Sequence, residues 1–329
     1  MIDFNSSNYL SVYNNSSFIN FVQEGIEKYG YNFGGSRLSN ICPELYNEAE
    51  NYFIDFLSAE GALLTSSGTL SGILIAKYIK SQASYLVFES GDIHPCLRIN
   101  NEKSIIFNDV HELKNLLCRH DKDIKKFIIV NSINPLNVNS LDYDFLKDIS
   151  SFNNIILIVD DSHALGVLGK NGTGITSLLN DFNFQYIVSA SLAKAFGIRG
   201  GVIAGDNEII ANIRNSAVWG GASPPAPFYI YTFMRANDIY ISELNKLRKN
   251  MEFFIREINF PDKLLFQKDF PVFIFKEKID ENELLHNQIR ISSFSYPTKN
   301  DPLKQRIVLN SGHSFSEIEK LLDVMNRHF

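Results

Sequence analysis

No apolar run in this 329-residue chain reaches the roughly 18 residues that a membrane-spanning helix requires. The longest candidates, at 155–159 and 127–130, are strand-sized. A basic excess is missing too. The 31 Lys and Arg residues stand against 37 Asp and Glu, for a net charge of −6, whereas a nucleic-acid binder needs a basic face. The opening MIDFNSSNYL has neither the basic nor the apolar region of a secretory signal. The N-x-Ser/Thr sequons at Asn5, Asn14, Asn15 and Asn171 are therefore expected to be chance matches in an Asn-rich chain. Cysteine is too scarce for a disulfide frame: Cys42, Cys96 and Cys118 are odd in number and widely spaced, which predicts reduced thiols and a cytoplasmic protein. There is no CxxC, HExxH, Walker A loop or GxSxG elbow, so no metal site is expected. Gly166, Gly169, Gly172 and Gly174 lack the strand-then-helix setting of a dinucleotide fingerprint and read as turns. With 45% hydrophobic and 21% charged residues, disorder and a coiled coil are both excluded for the bulk of the chain.

What is present is a pattern of alternating elements. Residues 1–40, rich in Asn, Ser, Gly and Tyr with one helix-like stretch at 18–28, read as an N-terminal arm. From Pro43 onward Leu45, Ala49, Tyr52, Phe53 and Phe56 recur at helical spacing. Strand-like runs follow at 61–64, 85–89, 105–107, 127–131, 155–160, 186–191 and 202–204, with amphipathic stretches such as 70–78 and 110–117 between them. Short apolar strands alternating with helices predict an α/β fold with a mostly parallel sheet of seven strands covered on both faces. The texture changes after Pro224-Pro225. One long helical stretch at 227–256 leads into strands near 272–275, 288–291 and 306–309, and then a closing helix at 316–327 headed by Ser314-Phe315-Ser316-Glu317. The expected organisation is an arm (1–40), a large domain (41–226) and a smaller C-terminal α/β domain (227–329).

Four positions just past strand ends carry candidate chemistry. Asp160 and Asp161, followed by Ser162-His163, leave the strand at 155–160, where open parallel sheets bind ligands; alone, they also read as turn or cap carboxylates. Lys194, in Leu192-Ala193-Lys194-Ala195-Phe196-Gly197, sits among small and apolar residues, surroundings that make an amine nucleophilic; the ordinary alternative is a solvated lysine. Thr65-Ser66-Ser67-Gly68-Thr69 joins a strand to a helix and could hold an anion on its backbone N–H groups, or simply cap that helix. His94 follows a further strand exit, where a lone histidine is more often structural. Together, a phosphate cradle, a ring to stack, a carboxylate with a nearby histidine and an amine are what pyridoxal 5′-phosphate needs.

The sequence resembles the fold type I pyridoxal-phosphate enzymes and, among them, the α-oxoamine synthases. The resemblance runs from Asn8-Tyr9-Leu10 through Tyr29-Gly30, Gly34-Gly35-Ser36-Arg37-Leu38 and Thr65-Ser66-Ser67-Gly68. It continues through Val159-Asp160-Asp161-Ser162-His163, Gly166-Val167-Leu168-Gly169 and Ser191-Leu192-Ala193-Lys194 to Pro224-Pro225 and Arg306. It implies that Lys194 carries the cofactor as a Schiff base, that Asp160 pairs with the pyridinium nitrogen, that His163 bonds the phenolic oxygen and that His94 stacks on the ring. It further implies that Ser191 and the Ser67-Gly68-Thr69 turn hold the phosphate, and that Arg306 clamps the substrate carboxylate with its two-pronged guanidinium.

The implied activity is an acyltransferase reaction, decarboxylative condensation of a small α-amino acid with an acyl thioester of coenzyme A or a carrier protein. It would run in a homodimer whose site lies at the subunit interface. An aminotransferase or an aldol-type enzyme on the same fold is the alternative; a non-catalytic homologue is disfavoured by the joint retention of Lys194, Asp160, His163 and Arg306. Two departures stand out. The family's Ser-Met-Asp-Gly appears as Ser132-Ile133-Asn134-Pro135, so an acid becomes Asn134. The Ser/Thr before the paired prolines appears as Gly220-Gly221-Ala222, with Ser223 as a substitute.

Overall fold

Residues 155–159 are buried along their whole length, which a strand tolerates only where both faces of its sheet are covered. The computed structural model, which describes every residue except Pro297, shows how that cover is built. A short strand β1 (Ile2–Phe4) opens the chain. The large sheet then takes β2 (Gly61–Thr65), β3 (Tyr85–Ser90), β4 (Ser104–Phe107), β5 (Lys125–Asn131), β6 (Ile155–Asp160), β7 (Gln185–Ser191) and β8 (Gly201–Gly205). Their spatial order is β2-β8-β7-β6-β5-β3-β4. The pairs from β7 across to β4 are parallel, and β8 alone runs against both its neighbours. The seven expected strands are present, most of them a residue or two longer than the apolar runs suggested.

Side chains alternate between the two faces of each strand. Ile156 and Ile158 pack with Leu74, Ile75, Ile79, Ile209 and Ile210 from the helices Gly68–Lys80 and Asn207–Arg214. Leu157 and Val159 meet Leu113, Leu117, Leu146 and Ile149 from the helices Val110–Arg119 and Tyr143–Ser150 on the other face. Each such side chain contributes about 1.5–3 kcal/mol by leaving water. The parallel register sets Asn131, Asp160 and Ser189 abreast at the carboxyl ends of β5, β6 and β7. That edge is where an open sheet exposes its crevice.

The smaller sheet adds β9 (Leu264–Phe266), β10 (Val272–Phe275), β11 (Ile289–Ser295) and β12 (Leu303–Val308) to β1, in the order β1-β11-β12-β10-β9. β1 and β9 escaped the sequence reading because three residues carry no periodicity. The closing helix Phe315–His328 begins with a reciprocal capping box between Ser314 and Glu317.

Two expectations need correction. The single helix expected at 227–256 is two, Pro227–Arg235 and Asn237–Glu257, broken at the fully buried Ala236 (φ −95°, ψ 12°). Alanine is the strongest helix former, so packing decides. The break lies within an aromatic cluster in which Phe196 meets Phe233 at 5.2 Å and Tyr240 at 4.8 Å. Part of residues 1–40, expected as an arm, is packed into the body. Phe4, Tyr9, Leu10, Val12 and Phe18 are buried, and β1 pairs with β11. The helix Ser16–Tyr29 lies so close to Pro227–Arg235 that a Cβ at Gly25 would sit 3.0 Å from the Phe228 carbonyl oxygen. Among the described residues no helix is long and apolar enough to cross a membrane.

Candidate active site

Lys194 sits in a folded-back turn after β7. Leu192, Ala195 and Phe196 are buried beneath it, and the Leu192 N–H reaches the Gly200 carbonyl at 3.0 Å. Gly197 permits the turn with φ +64°, at a point where a Cβ would meet Val12 at 2.6 Å. The lysine thus lines a cavity of about 240 Å³ shared with His94, Asp160, His163 and Arg306. Phe294 and Tyr296 supply aromatic wall to the same cavity. Desolvation, above all, and the Arg306 charge lower the Lys194 pKa, with Asp160 opposing them. The result is an amine that gives up its proton more readily, as a nucleophile should.

Asp160 ends β6, and its Oδ1 accepts the Ser162 N–H at 3.0 Å. Its neighbour Asp161 does not share the cavity. It is fully buried, accepts the Ile175 N–H at 3.2 Å, and packs so tightly on Gly174 that a Cβ there would overlap Oδ2. Burial pushes its carboxyl up to about 7. Strand alternation separates the two acids: one faces the crevice and the other the interior.

Each cavity histidine is tied through Nδ1. His163 Nδ1 lies 2.7 Å from the Tyr9 hydroxyl. Burial pushes the Tyr9 phenol up to about 12. Desolvation, then the Lys194 and Arg306 charges, hold His163 well below the ordinary histidine value. A protonated phenol and a neutral imidazole share one proton across this contact, so the Tyr9 hydroxyl and the tautomer of His163 are coupled. His94 Nδ1 is approached by the Cys96 N–H at 3.2 Å and the Cys96 thiol at 2.9 Å. Burial pushes that thiol up to about 12, so here Nδ1 accepts.

Arg306 lies within β12, paired with Ile274 on one side and Ser292 on the other. It is buried, its Nη1 donates to the Pro135 carbonyl at 2.6 Å, and its guanidinium stands 5.1 Å from the Phe294 ring. Nε is buried with no hydrogen-bond partner, and the residue lines the cavity, where its guanidinium could pair with a carboxylate.

The phosphate-holding candidates form a second, adjoining group. Ser67 caps the helix Gly68–Lys80 through the Leu70 N–H at 3.1 Å. A Cβ at Gly68 would be 2.8 Å from Ser191 Cβ, and one at Gly201 would be 2.6 Å from the Ser67 carbonyl. Only glycine lets these strands and the helix start close up. Ser191 is held by its N–H to Ser162 Oγ at 3.0 Å. Thr69 lines a neighbouring hollow that shares His94 with the first cavity. At the second departure from the family pattern, Ser223 is exposed, and the Gly220 carbonyl accepts the Ser36 hydroxyl at 2.8 Å. Sequence reasoning missed Tyr9, Cys96 and Asp92 as parts of this site. Asn8-Tyr9-Leu10 marked Tyr9 as a landmark, but nothing in the sequence tied it to His163.

Residues 1–325 match the family described as aminotransferase class I and II. A putative 8-amino-7-oxononanoate synthase of Trichodesmium erythraeum is 26% identical, over 98% of this chain and 87% of that protein. The serine palmitoyltransferase of Sphingobacterium spiritivorum is 23% identical, over 99% and 86%. Among solved structures, a serine palmitoyltransferase from S. paucimobilis with bound PLP-myriocin superposes with a TM-score of 0.86 at 18% identity, over 99% of this chain and 87% of that one. That last likeness speaks to the fold.

Proposed function

The chain belongs to the aminotransferase class I and II family and, within it, to the α-oxoamine synthases; on that premise we propose that it condenses a small α-amino acid with an acyl thioester, releasing carbon dioxide. The residues fit pyridoxal 5′-phosphate. Lys194 would hold it covalently, Asp160 would take its ring nitrogen, His94 its ring face and His163 its phenolic oxygen. Its phosphate would rest against Ser67, Gly68, Thr69 and Ser191, where the glycine contacts leave room for no side chain. When bound, the cofactor supplies an electron sink for the carbon bearing the substrate amine.

The protein's own contributions follow from the geometry. The guanidinium of Arg306 would receive the amino-acid carboxylate and set which bond at Cα faces Lys194. The lowered proton affinity of Lys194 suits it first to nucleophilic attack and then to carrying the Cα proton on Nζ. His163, held through Nδ1 by the Tyr9 hydroxyl, keeps Nε2 free of that bond for an oxygen in the cavity. The observation that carries this reading is the buried Arg306 guanidinium, with its one hydrogen bond to the Pro135 carbonyl, lining the same cavity as Lys194 and Asp160. In keeping with the family, we take the working form to be a homodimer with its sites at the interface. The test is carbon dioxide release from glycine, L-alanine and L-serine with and without an acyl thioester. Release that requires the thioester supports condensation; keto-acid formation without it would identify an aminotransferase.

A further inference from the structure

The loop after β5 is fastened to the loop after β3 by a single carboxylate. Asp92 Oδ1 accepts from Ser90 Oγ at 2.6 Å and from Asn131 Nδ2 at 3.3 Å. Its Oδ2 accepts from Asn137 Nδ2 at 3.3 Å and, more closely, from Asn134 Nδ2. A carboxylate has about four acceptor sites, and the protein fills them all. Asp92 therefore lines the cavity as a fastener and not as a reader of ligands.

What it fastens is a tight turn. Asn134 accepts the Leu136 N–H on its side chain at 2.7 Å and the Val138 N–H on its carbonyl at 2.8 Å, and donates its own N–H to Asn139 at 2.8 Å. Val138 is forced to φ 53°, a left-handed conformation that a β-branched residue resists. The turn is held against that preference by these bonds and by Gln267, whose side chain donates to the Val138 carbonyl at 2.6 Å. At its apex the Pro135 carbonyl meets Arg306 Nη1. Among the described residues the guanidinium makes no other hydrogen bond.

We propose that the Asp92–Asn134 pair is a clasp that positions Arg306, pinning the Pro135 carbonyl on Nη1 and so fixing how the guanidinium is presented to the cavity. The amide at Asn134, where the family carries an acid, is thereby matched by a carboxylate on the facing loop. Asp92 and Asn134 act through Arg306 and touch no reacting atom. The inference rests on the reading of Arg306 as the partner of the amino-acid carboxylate.

The experiment uses the cofactor-loaded protein, titrated with glycine, L-alanine and L-serine while the cofactor absorption is followed, with KM and kcat measured alongside. Asn134→Asp sets two carboxylates face to face and is expected to weaken amino-acid binding about tenfold. KM should rise while kcat is largely kept, as in Arg306→Lys. The exchange Asp92→Asn/Asn134→Asp restores one amide facing one carboxylate and is expected to recover most of the affinity. If Arg306→Lys weakens binding but Asn134→Asp does not, or if the exchange recovers nothing, the clasp is wrong and the role of Arg306 stands. If Arg306→Lys leaves binding unchanged, the carboxylate reading falls and the clasp falls with it. Loss of cofactor colour in Asn134→Asp, in place of lost amino-acid affinity, also overturns the clasp.

Discussion

The hydroxyl of Tyr9 stands 2.7 Å from Nδ1 of His163, 154 residues further along the chain. Tyr9 is fully buried, its carbonyl accepts the Ser311 N–H at 2.9 Å, and its ring packs edge-on against Phe270. One residue therefore joins the segments around Phe270 and Ser311 to His163, 154 positions away from it in sequence.

Tyr9→Phe tests this relationship. The variant keeps the packing but leaves Nδ1 of an enclosed imidazole without its hydrogen-bond partner, which costs about 1–3 kcal/mol where the group stays dry. Turnover is expected to fall by about tenfold or more, as when the outer partner of a metal-bound histidine is removed, with cofactor content retained. Wild-type turnover in Tyr9→Phe would show that the bond is structural only.

Asp160→Asn keeps the hydrogen bond from Ser162 but removes the charge proposed to pair with the ring nitrogen. Partial cofactor binding with a steep fall in kcat, and little change in KM, is the expected outcome. Lys194→Ala is expected to lose the yellow colour altogether, and borohydride reduction of the wild type should label Lys194. Label on another lysine would displace it from the site.

The residues in these tests were readable in the sequence to different degrees. Asp160, Lys194 and Ser67 each follow an apolar run that could only be a buried strand, and strand ends converge by topology. Arg306 lies inside β12 and has no such local mark; it came from the family resemblance. Tyr9, Cys96 and Asp92 act through contacts that depend on how distant segments meet, and no periodicity encodes those. The same holds for the break at Ala236, where aromatic packing overrides the helix preference of the residue.

Asp161 gives a prediction in pH. Burial raises its folded pKa from an ordinary value of 3.8 to about 7. The folded protein therefore binds the proton more tightly than the unfolded chain does. This group's stabilising effect is complete below pH 3.8 and is lost as pH rises through about 7. His163 works in the opposite sense: its folded pKa is depressed, so its contribution is present above 6.5 and is lost as pH falls through the folded value. Asp161→Asn cannot ionise. Relative to wild type, its melting temperature is expected to improve from pH 5 to pH 8. A difference that stays constant over that range would show that Asp161 is ionised in the folded protein throughout.

The last prediction concerns Gly72 and Cys96. Gly72 lies inside the helix Gly68–Lys80, where alanine would be favoured by about 1 kcal/mol. A Cβ at Gly72, however, would stand 2.3 Å from Cys96 Sγ and 3.2 Å from Cys96 Cβ. The glycine leaves room for the sulfur, and the sulfur in turn reaches His94 Nδ1 at 2.9 Å. Gly72→Ala must therefore turn the thiol away, which breaks the His94 contact, or strain the packing by about 1–3 kcal/mol. Either way the helix gain is offset, and turnover is expected to drop in the single variant. In a Cys96→Ala background the obstruction shrinks to contacts of 3.2 Å with Cys96 Cβ and 3.3 Å with Leu97 Cγ, so Gly72→Ala should there cost clearly less than in the wild-type background. Cys96→Ser keeps a donor beside Nδ1 and is expected to retain more activity than Cys96→Ala. The measurement is a four-protein cycle of melting temperature and turnover on the cofactor-loaded enzyme. Additive effects of Gly72→Ala and Cys96→Ala, in both readouts, would mean that the sulfur neither fills the space above Gly72 nor orients His94.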